Sequence, residues 1–273
     1  MSSIASGLAF PRLDRAGNVT LARVVRSEWT KLYSLRSTRW SLLVAAVLTI
    51  GFPLLFATIL STRAHPLQGH HHSALEVGLA GVNVSQLAIA VLGVLLITGE
   101  YATGMIRATF TAVPKRLPVL WAKLAVYAIV SFLLMLPCVL IAFFASQAIL
   151  ARKDLYQISL THPGVARAVV GGAVYLTLIG LFALALGAIV RNTAGGIATF
   201  AAIFFIIPPL LNILPTSWND AVAPWLPDSS ARAIFQLTHD THMLSPGAGA
   251  ALFCGYTVIA IAIAALLFVR RDT

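Results

Sequence analysis

Charge is what this sequence has least of. Only 10% of its 273 residues are Asp, Glu, Lys or Arg, where a water-soluble domain carries about 25%. With 59% hydrophobic residues and a mean hydropathy of +0.88, the chain has too little polar surface to cover a soluble body of this size. That excludes an ordinary globular protein and leaves a polytopic membrane protein. Cysteine is scarce too. Cys138 and Cys254 both sit in apolar runs and read as small buried hydrophobes, not as a disulfide or a metal pair. No signal peptide is expected, because the first apolar run starts only at Ser41 and is too long for a signal-peptide core. No Gly-Lys pair occurs anywhere, so the G-x-x-x-x-G-K-[ST] loop that cradles nucleotide phosphates is missing. The apolar runs are nearly free of Asp, Glu and His, and no HExxH or Ser/His/Asp grouping is present. This argues against an intramembrane enzyme and against proton coupling through a mid-membrane carboxylate.

What the chain has is long apolar runs and one patterned segment ahead of them. Six candidate spans fall at about Ser41–Ser61, Leu79–Gly99, Val119–Leu150, Val165–Val190, Ala194–Leu214 and Ala248–Val269, each long enough to cross a bilayer. The third implies a tilt, a kink at Pro137 or an extension past the bilayer, and Pro208-Pro209 should break or bend the fifth. Before them, after a flexible N-terminus (1–18), Val19–Trp40 carries Leu21, Val24, Val25, Glu28, Leu32 and Leu35 at helical spacing. Arg23, Arg26, Lys31 and Arg36 lie mostly off that stripe, and Trp29 and Tyr33 are aromatic anchors of the interfacial kind. The segment reads as an amphipathic helix on the cytoplasmic membrane surface. Glu28 is its anomaly: an acid on an apolar stripe needs a partner or a basic neighbour, unless it snorkels to solvent. The fold class expected is all-α, six transmembrane helices behind an N-terminal amphipathic cytoplasmic helix.

Basic residues set the orientation. Fourteen Lys and Arg fall on one side, against Arg63, Arg152, Lys153, Arg167 and Arg232 on the other, and the acids divide so that the first side carries the whole net charge of +10. Both termini are therefore expected in the cytoplasm. The basic pI of about 10.3 is a topology signal and not a nucleic-acid signal, since no soluble basic surface with interleaved aromatics is present. The external His65, His70, His71 and His72 are weak grounds for a metal site. The longest external loop, 215–247, sets Trp218 and Trp225 among prolines and reads either as a cap dipping into the outer interface or as solvated loop. A short helix is expected near Ser229–Leu237.

On the cytoplasmic side, 99–118 is longer than a simple connector needs to be. Glu100 closes the second span, and Pro114, Lys115, Arg116 and Pro118 turn the chain into the third. Glu100 reads as an electrostatic latch to a basic residue such as Arg107, as a partner contact, or as a solvated helix-end carboxylate. Lys115 and Arg116 read equally as partner contacts or as a positive-inside stop signal. Gly171, Gly172, Gly180, Gly187, Gly195 and Gly196 suit close helix packing within one subunit.

The order SEWTKLYSLRSTRW, a span, ITGEYATGMIRATFTAVPKR, and then ALGAIVRNTAGG before a fifth span resembles the ABC-2 type transporter permeases of actinobacteria. The resemblance runs from about Ala22 to Arg271, and its most specific parts are Glu100–Arg107 and Pro114–Arg116. It implies a six-span half-transporter (41–273) with an N-terminal connecting helix (19–40) and a coupling element (99–118). It also implies a separate ATPase subunit that binds ATP and Mg, a second permease subunit (the same chain or a related one), and export across a bacterial plasma membrane. Glu28, Lys31, Glu100, Tyr101, Arg107, Lys115 and Arg116 would be the coupling residues. The chain itself would perform no chemistry and hold no cofactor or metal, and its partners would be those two subunits and membrane lipids. The apolar path suits a lipophilic substrate. An ion-coupled carrier or channel without an ATPase is the alternative.

Overall fold

The computed structural model of the chain describes residues 20–62, 71–105, 116–152, 155–211, 213, 215–237 and 244–270. The N-terminal 1–18 segment, Asn212 and half of the 99–118 element (106–115) lie outside these residues, as do His65 and His70 and the side chains of His71 and His72. Among the described residues every regular element is helical. In chain order these are α1 (Leu21–Ser34), α2 (Arg36–Thr62), α3 (His71–Ala102), α4 (Arg116–Ala151), α5 (Val165–Val190), α6 (Thr193–Ala201), a π-helical turn (Ala202–Ile206), α7 (Ile207–Leu211), α8 (Thr216–Val222), a 3-10 turn (Ala223–Trp225), α9 (Pro227–Arg232) and α10 (Pro246–Arg270).

Six helical stretches are long and apolar enough to cross a membrane: Arg36–Thr62, Ala74–Ala102, Leu117–Ala151, Val165–Val190, Thr193–Leu211 and Pro246–Arg270. This is the character of a multi-pass membrane protein. Several helices run past the apolar runs that announce them. α2 begins at Arg36, because a helix does not have to stop where its hydrophobic stretch does. α4 has 36 residues, about 54 Å at 1.5 Å per residue, against a hydrocarbon core of about 30 Å.

Prolines bend the structure less than the sequence suggests. α2 and α4 continue through Pro53 and Pro137. The fifth span also continues through Pro208 and Pro209 to Leu211, and the irregularity falls one turn earlier, in the π turn Ala202–Ile206. Each proline removes an N–H donor and crowds the carbonyl four residues back, and a widened turn is a common way for a helix to absorb that.

The Val19–Trp40 segment is divided. Leu35 adopts an extended conformation (φ −73°, ψ 121°) and its N–H caps the carbonyl of Lys31, so α1 ends at Ser34 and Arg36–Trp40 belong to the first span. On α1 the buried residues are Val24, Glu28 and Leu32, spaced four apart on one face, while Leu21 and Leu35 are exposed. Val24 forms a small apolar cluster with Val119 and Ala122 of α4. The inward face of α1 therefore rests on protein.

α5 sits at the centre of the bundle, packed on α3, α4 and α10, with α2 on the far side of α3. Small residues make these approaches close. At Gly93 of α3 an added Cβ would collide with the backbone of Gly180 on α5, and at Gly180 it would overlap the ring of Tyr127 from α4. Tyr127 is itself fixed by its hydroxyl, which donates to the Ile89 carbonyl at 2.9 Å. The glycines thus serve packing within one chain.

Residues 215–237 are folded, not solvated loop. α9 buries Asp228, Ser230 and Ala231. Arg232 bonds Asp228 (2.8 Å) and Asn83 of α3 (3.1 Å). Arg167 of α5 donates to the carbonyls of Ile234 and Gln236 at 3.1 and 2.8 Å, and Tyr256 of α10 donates to Trp225 O at 2.7 Å. Burial raises the Asp228 carboxyl above its ordinary range, outweighing the Arg232 guanidinium beside it. Trp218 and Trp225 remain exposed, as interfacial aromatics do.

Gly180→Ala should destabilise the protein by about 1–3 kcal/mol through overpacking against Tyr127. Gly51→Ala, where an added Cβ meets nothing within 4 Å, should stay within about 0.5 kcal/mol. Thermal unfolding of both variants in detergent checks the contrast.

Candidate functional site

The chemistry that stands out is a closed ring of four charges where α1, α3 and α4 meet. Glu28 and Lys31 lie three residues apart, on neighbouring positions of one face of α1. Glu100 is in the last turn of α3, and Lys123 lies within the first turns of α4. Lys31 Nζ contacts Glu28 Oε1 at 2.7 Å and Glu100 Oε1 at 3.0 Å. Lys123 Nζ contacts Glu28 Oε2 at 2.6 Å and Glu100 Oε1 at 3.0 Å. Each carboxylate bridges both ammoniums and each ammonium bridges both carboxylates, so the ring is neutral.

The ring is shut away from solvent. The side chains of Glu28, Glu100 and Lys123 are 3%, 7% and 2% exposed, and only Lys31, at 26%, opens outward. A charge buried like this is tolerated only when it is paired and hydrogen-bonded. Val24, Val119 and Ala122, each within four positions of a ring residue on its own helix, form an apolar cluster between α1 and α4. Among the described residues Glu100 Oε2 is buried without a hydrogen-bond partner, so the acceptor capacity of the ring is not filled. For Glu28, burial pushes the pKa up, but the Lys123 charge and the hydrogen bonds from Lys123 and Lys31 outweigh it and the pKa is lowered. For Lys31, burial pushes the pKa down, but its hydrogen bond and attraction to Glu28, with help from Glu100, raise it.

A second cluster lies beside the ring. Tyr101 follows Glu100, and its ring receives the Arg191 guanidinium at 5.1 Å, a cation–π geometry. Arg191 Nη2 also donates to Leu267 O of α10 at 3.1 Å. Arg191 is the C-cap of α5 in the left-handed region (φ 58°), where glycine is the usual residue; its side chain ties the ends of α3 and α10 to this turn. Asn192 then caps α6, its side chain accepting from Gly195 N at 2.8 Å, as N-cap residues do. Thr193 and Thr98 hydroxyls bond at 2.8 Å. The Arg-Asn-Thr sequence is thus a helix stop, a helix start and a tether to α3.

Of the residues singled out from the sequence, Glu28, Lys31 and Glu100 come together and Tyr101 adjoins them. Arg107 and Lys115 lie outside the described residues. Arg116 opens α4, and its side chain lies outside them too. The solvated-carboxylate reading of Glu100 is corrected: the group is buried, and its described partners are Lys31 and Lys123. Glu28 does not snorkel; it finds the basic neighbours its position calls for. Lys123 is the residue sequence reasoning missed. It had been counted as an inside-positive charge, although it falls within the predicted third span, and a lysine inside an apolar run needs a partner.

No protein-family model matches the chain, and no curated protein matches it.

Lys123→Met leaves both carboxylates buried with one ammonium between them, so α1 docking should weaken by about 3–5 kcal/mol. Adding Glu28→Gln should cost clearly less than the sum of the two single changes. Hydrogen exchange of the α1 amides reads both. The same amides report pH. Glu28, with its pKa lowered in the fold, contributes stability that is present above its ordinary 4.5 and is lost as pH falls through the lowered value. Lys31, raised in the fold, contributes stability that is present below its ordinary 10.5 and is lost as pH rises through the raised value. Protection of α1 should therefore hold between about 4.5 and 10.5 and fall on either side.

Proposed function

We propose that this chain is the membrane-spanning permease subunit of an ATP-driven exporter of the ABC-2 type, in a bacterial plasma membrane with both termini cytoplasmic. In this reading α1 is the amphipathic connecting helix at the cytoplasmic surface. A separate ATPase subunit docks beneath α1 and the 99–118 element, and a second permease subunit completes the translocation path. ATP binding draws the ATPases together and displaces α1 and 99–118 as levers, and the spans pass from inward- to outward-facing. The cargo is lipophilic.

The observation that carries the reading is the buried ring of Glu28, Lys31, Glu100 and Lys123. A passive anchor has no need to fasten a short extra helix to two spans with four buried charges. A coupling device does, because force applied to α1 reaches α3 and α4 only through a joint that does not slide. The other support is the resemblance of Glu100–Arg107, Pro114–Arg116 and the Arg191–Gly196 turn to ABC-2 permeases. The missing phosphate loop agrees with an energy source on another chain.

The test is to purify the tagged chain in mild detergent from the cells that natively make it and to assay the eluate. A stoichiometric soluble ATPase whose turnover depends on this chain is the expected result. A folded chain with no ATPase would contradict the reading and shift it to an ion-coupled carrier or channel. Within the complex, Glu100→Gln should leave membrane insertion intact and lower transport per ATP by about tenfold or more, the loss of about 1.4 kcal/mol of coupling. Wild-type transport in Glu100→Gln would remove the ring from the mechanism.

A further inference from the structure

The outward side of α1 forms one wall of an apolar groove. Trp29 and Tyr33 of α1 face Leu42, Leu43 and Ala46 of α2 and Leu133 of α4 across a cavity of about 550 Å³, within the range of small-ligand sites. Trp29, Tyr33, Leu43 and Leu133 are all strongly exposed. One charged residue lines it, Arg39, and among the described residues Arg39 has no side-chain hydrogen bond or ion pair.

The order of chemistry along the groove is directional. Arg39 lies at the end next to the α1–α2 break, and Ala46 lies seven positions further into the apolar part of α2, about 10 Å along the helix. The groove thus runs from a cation and two aromatics into a purely aliphatic floor. Nearby charge has the same sign: Arg23, Arg26 and Arg36 are exposed, and the only acid on α1 or α2, Glu28, is consumed in the ring. An exposed guanidinium with no ion pair among the described residues, at the mouth of an apolar slot beside interfacial aromatics, suits an anionic headgroup with an acyl chain behind it.

We propose that this groove is a binding site for one anionic phospholipid, with its phosphate on Arg39 and an acyl chain lying between α2 and α4 down to Ala46. The lipid would pin α1 to the bilayer on the flank next to its ring-bearing face, since Leu32 of that face also lines the groove. The inference depends on the helices crossing a bilayer and not on an ATPase partner, so it stands or falls separately from the exporter reading.

The test uses a chain in which Trp40, Trp121, Trp218 and Trp225 are replaced by Phe, leaving Trp29, in phosphatidylcholine vesicles. These contain either phosphatidylglycerol or phosphatidylcholine brominated on the acyl chains, at equal low mole fraction. Brominated phosphatidylglycerol should quench Trp29 severalfold more strongly. Arg39→Gln should bring that quenching down to the phosphatidylcholine level, and Ala46→Phe, which fills the slot, should lower it with either lipid. Equal quenching by the two lipids in the parent chain would overturn the proposal, because the groove would then hold bulk lipid only. A preference that survives Arg39→Gln would overturn the headgroup assignment. Absence of quenching by either lipid would mean that protein, such as a second copy of the chain, covers the groove. Native mass spectrometry of the chain with all its tryptophans gives an independent arm: retained phosphatidylglycerol in the parent and its loss in Arg39→Gln are expected, and equal retention in both contradicts the site.

Discussion

Four charges that cannot be left alone hold this structure's most informative region together. Glu28, Glu100 and Lys123 are each nearly sealed from solvent, and any one of them without its partners would be an uncompensated charge at low dielectric. The ring therefore behaves as a unit. It joins positions 69, 95 and 23 residues apart along the chain, so α1 has a defined seat only after the ends of α3 and α4 have come together. Apolar contact alone would hold α1 poorly. Its inward face offers only Val24, in a small cluster with Val119 and Ala122, and Leu32, which joins the edge of the main core. Charge pairing supplies the specificity of the seat, and the short apolar contacts exclude the water that would weaken it.

The rest of the bundle prepares that seat. Gly93 and Gly180 let α3 and α5 approach backbone to backbone, with Tyr127 of α4 over Gly180, and this contact fixes the relative heights of α3 and α4 and hence of Glu100 and Lys123. Beside the ring, Arg191 in its left-handed turn ties the ends of α3, α5 and α10 by a cation–π contact and a carbonyl bond. At the far end, α9 and the Arg167 and Arg232 contacts cover the bundle. Among the described residues one end is thus closed by hydrogen bonds from the Arg167 and Arg232 guanidiniums and by the Arg232–Asp228 ion pair, while the other carries the ring and most of the exposed basic residues. In the proposed transport cycle this asymmetry separates a driven end from a lidded one.

The spans were legible because bilayer length and composition write themselves directly into a sequence, and α5 coincides with its predicted run, Val165–Val190. The ends were less legible. α2 starts at Arg36 because its polar first turn continues the helix, and the break at Leu35 is a backbone choice with no proline or glycine to signal it. Glu28 was recognisable as needing a cation; which cation was not, since Lys123 lies 95 residues away and resembles a topology signal. For Glu100 the sequence left open a latch to a basic residue such as Arg107, a partner contact or a solvated helix end. Arg107 lies outside the described residues, and among those described tertiary packing brings Glu100 to Lys31 and Lys123. The roles of Arg191 and Asn192 in ending one helix and starting the next could have been read from local turn chemistry. The Tyr101 contact could not, because it depends on how α3 and α5 cross.

The most direct test of the ring as a rigid joint is a distance across it. Spin labels at the exposed positions Arg26 on α1 and Ala102 at the end of α3, in a chain with Cys138 and Cys254 replaced by alanine, can be read by double electron–electron resonance in lipid nanodiscs. The account predicts a single narrow distance that becomes broad when Lys123 is changed to Met. An equally narrow distance in the Lys123→Met chain would show that α1 is held by something other than the four charges, and would contradict the claim on which the proposed coupling mechanism rests.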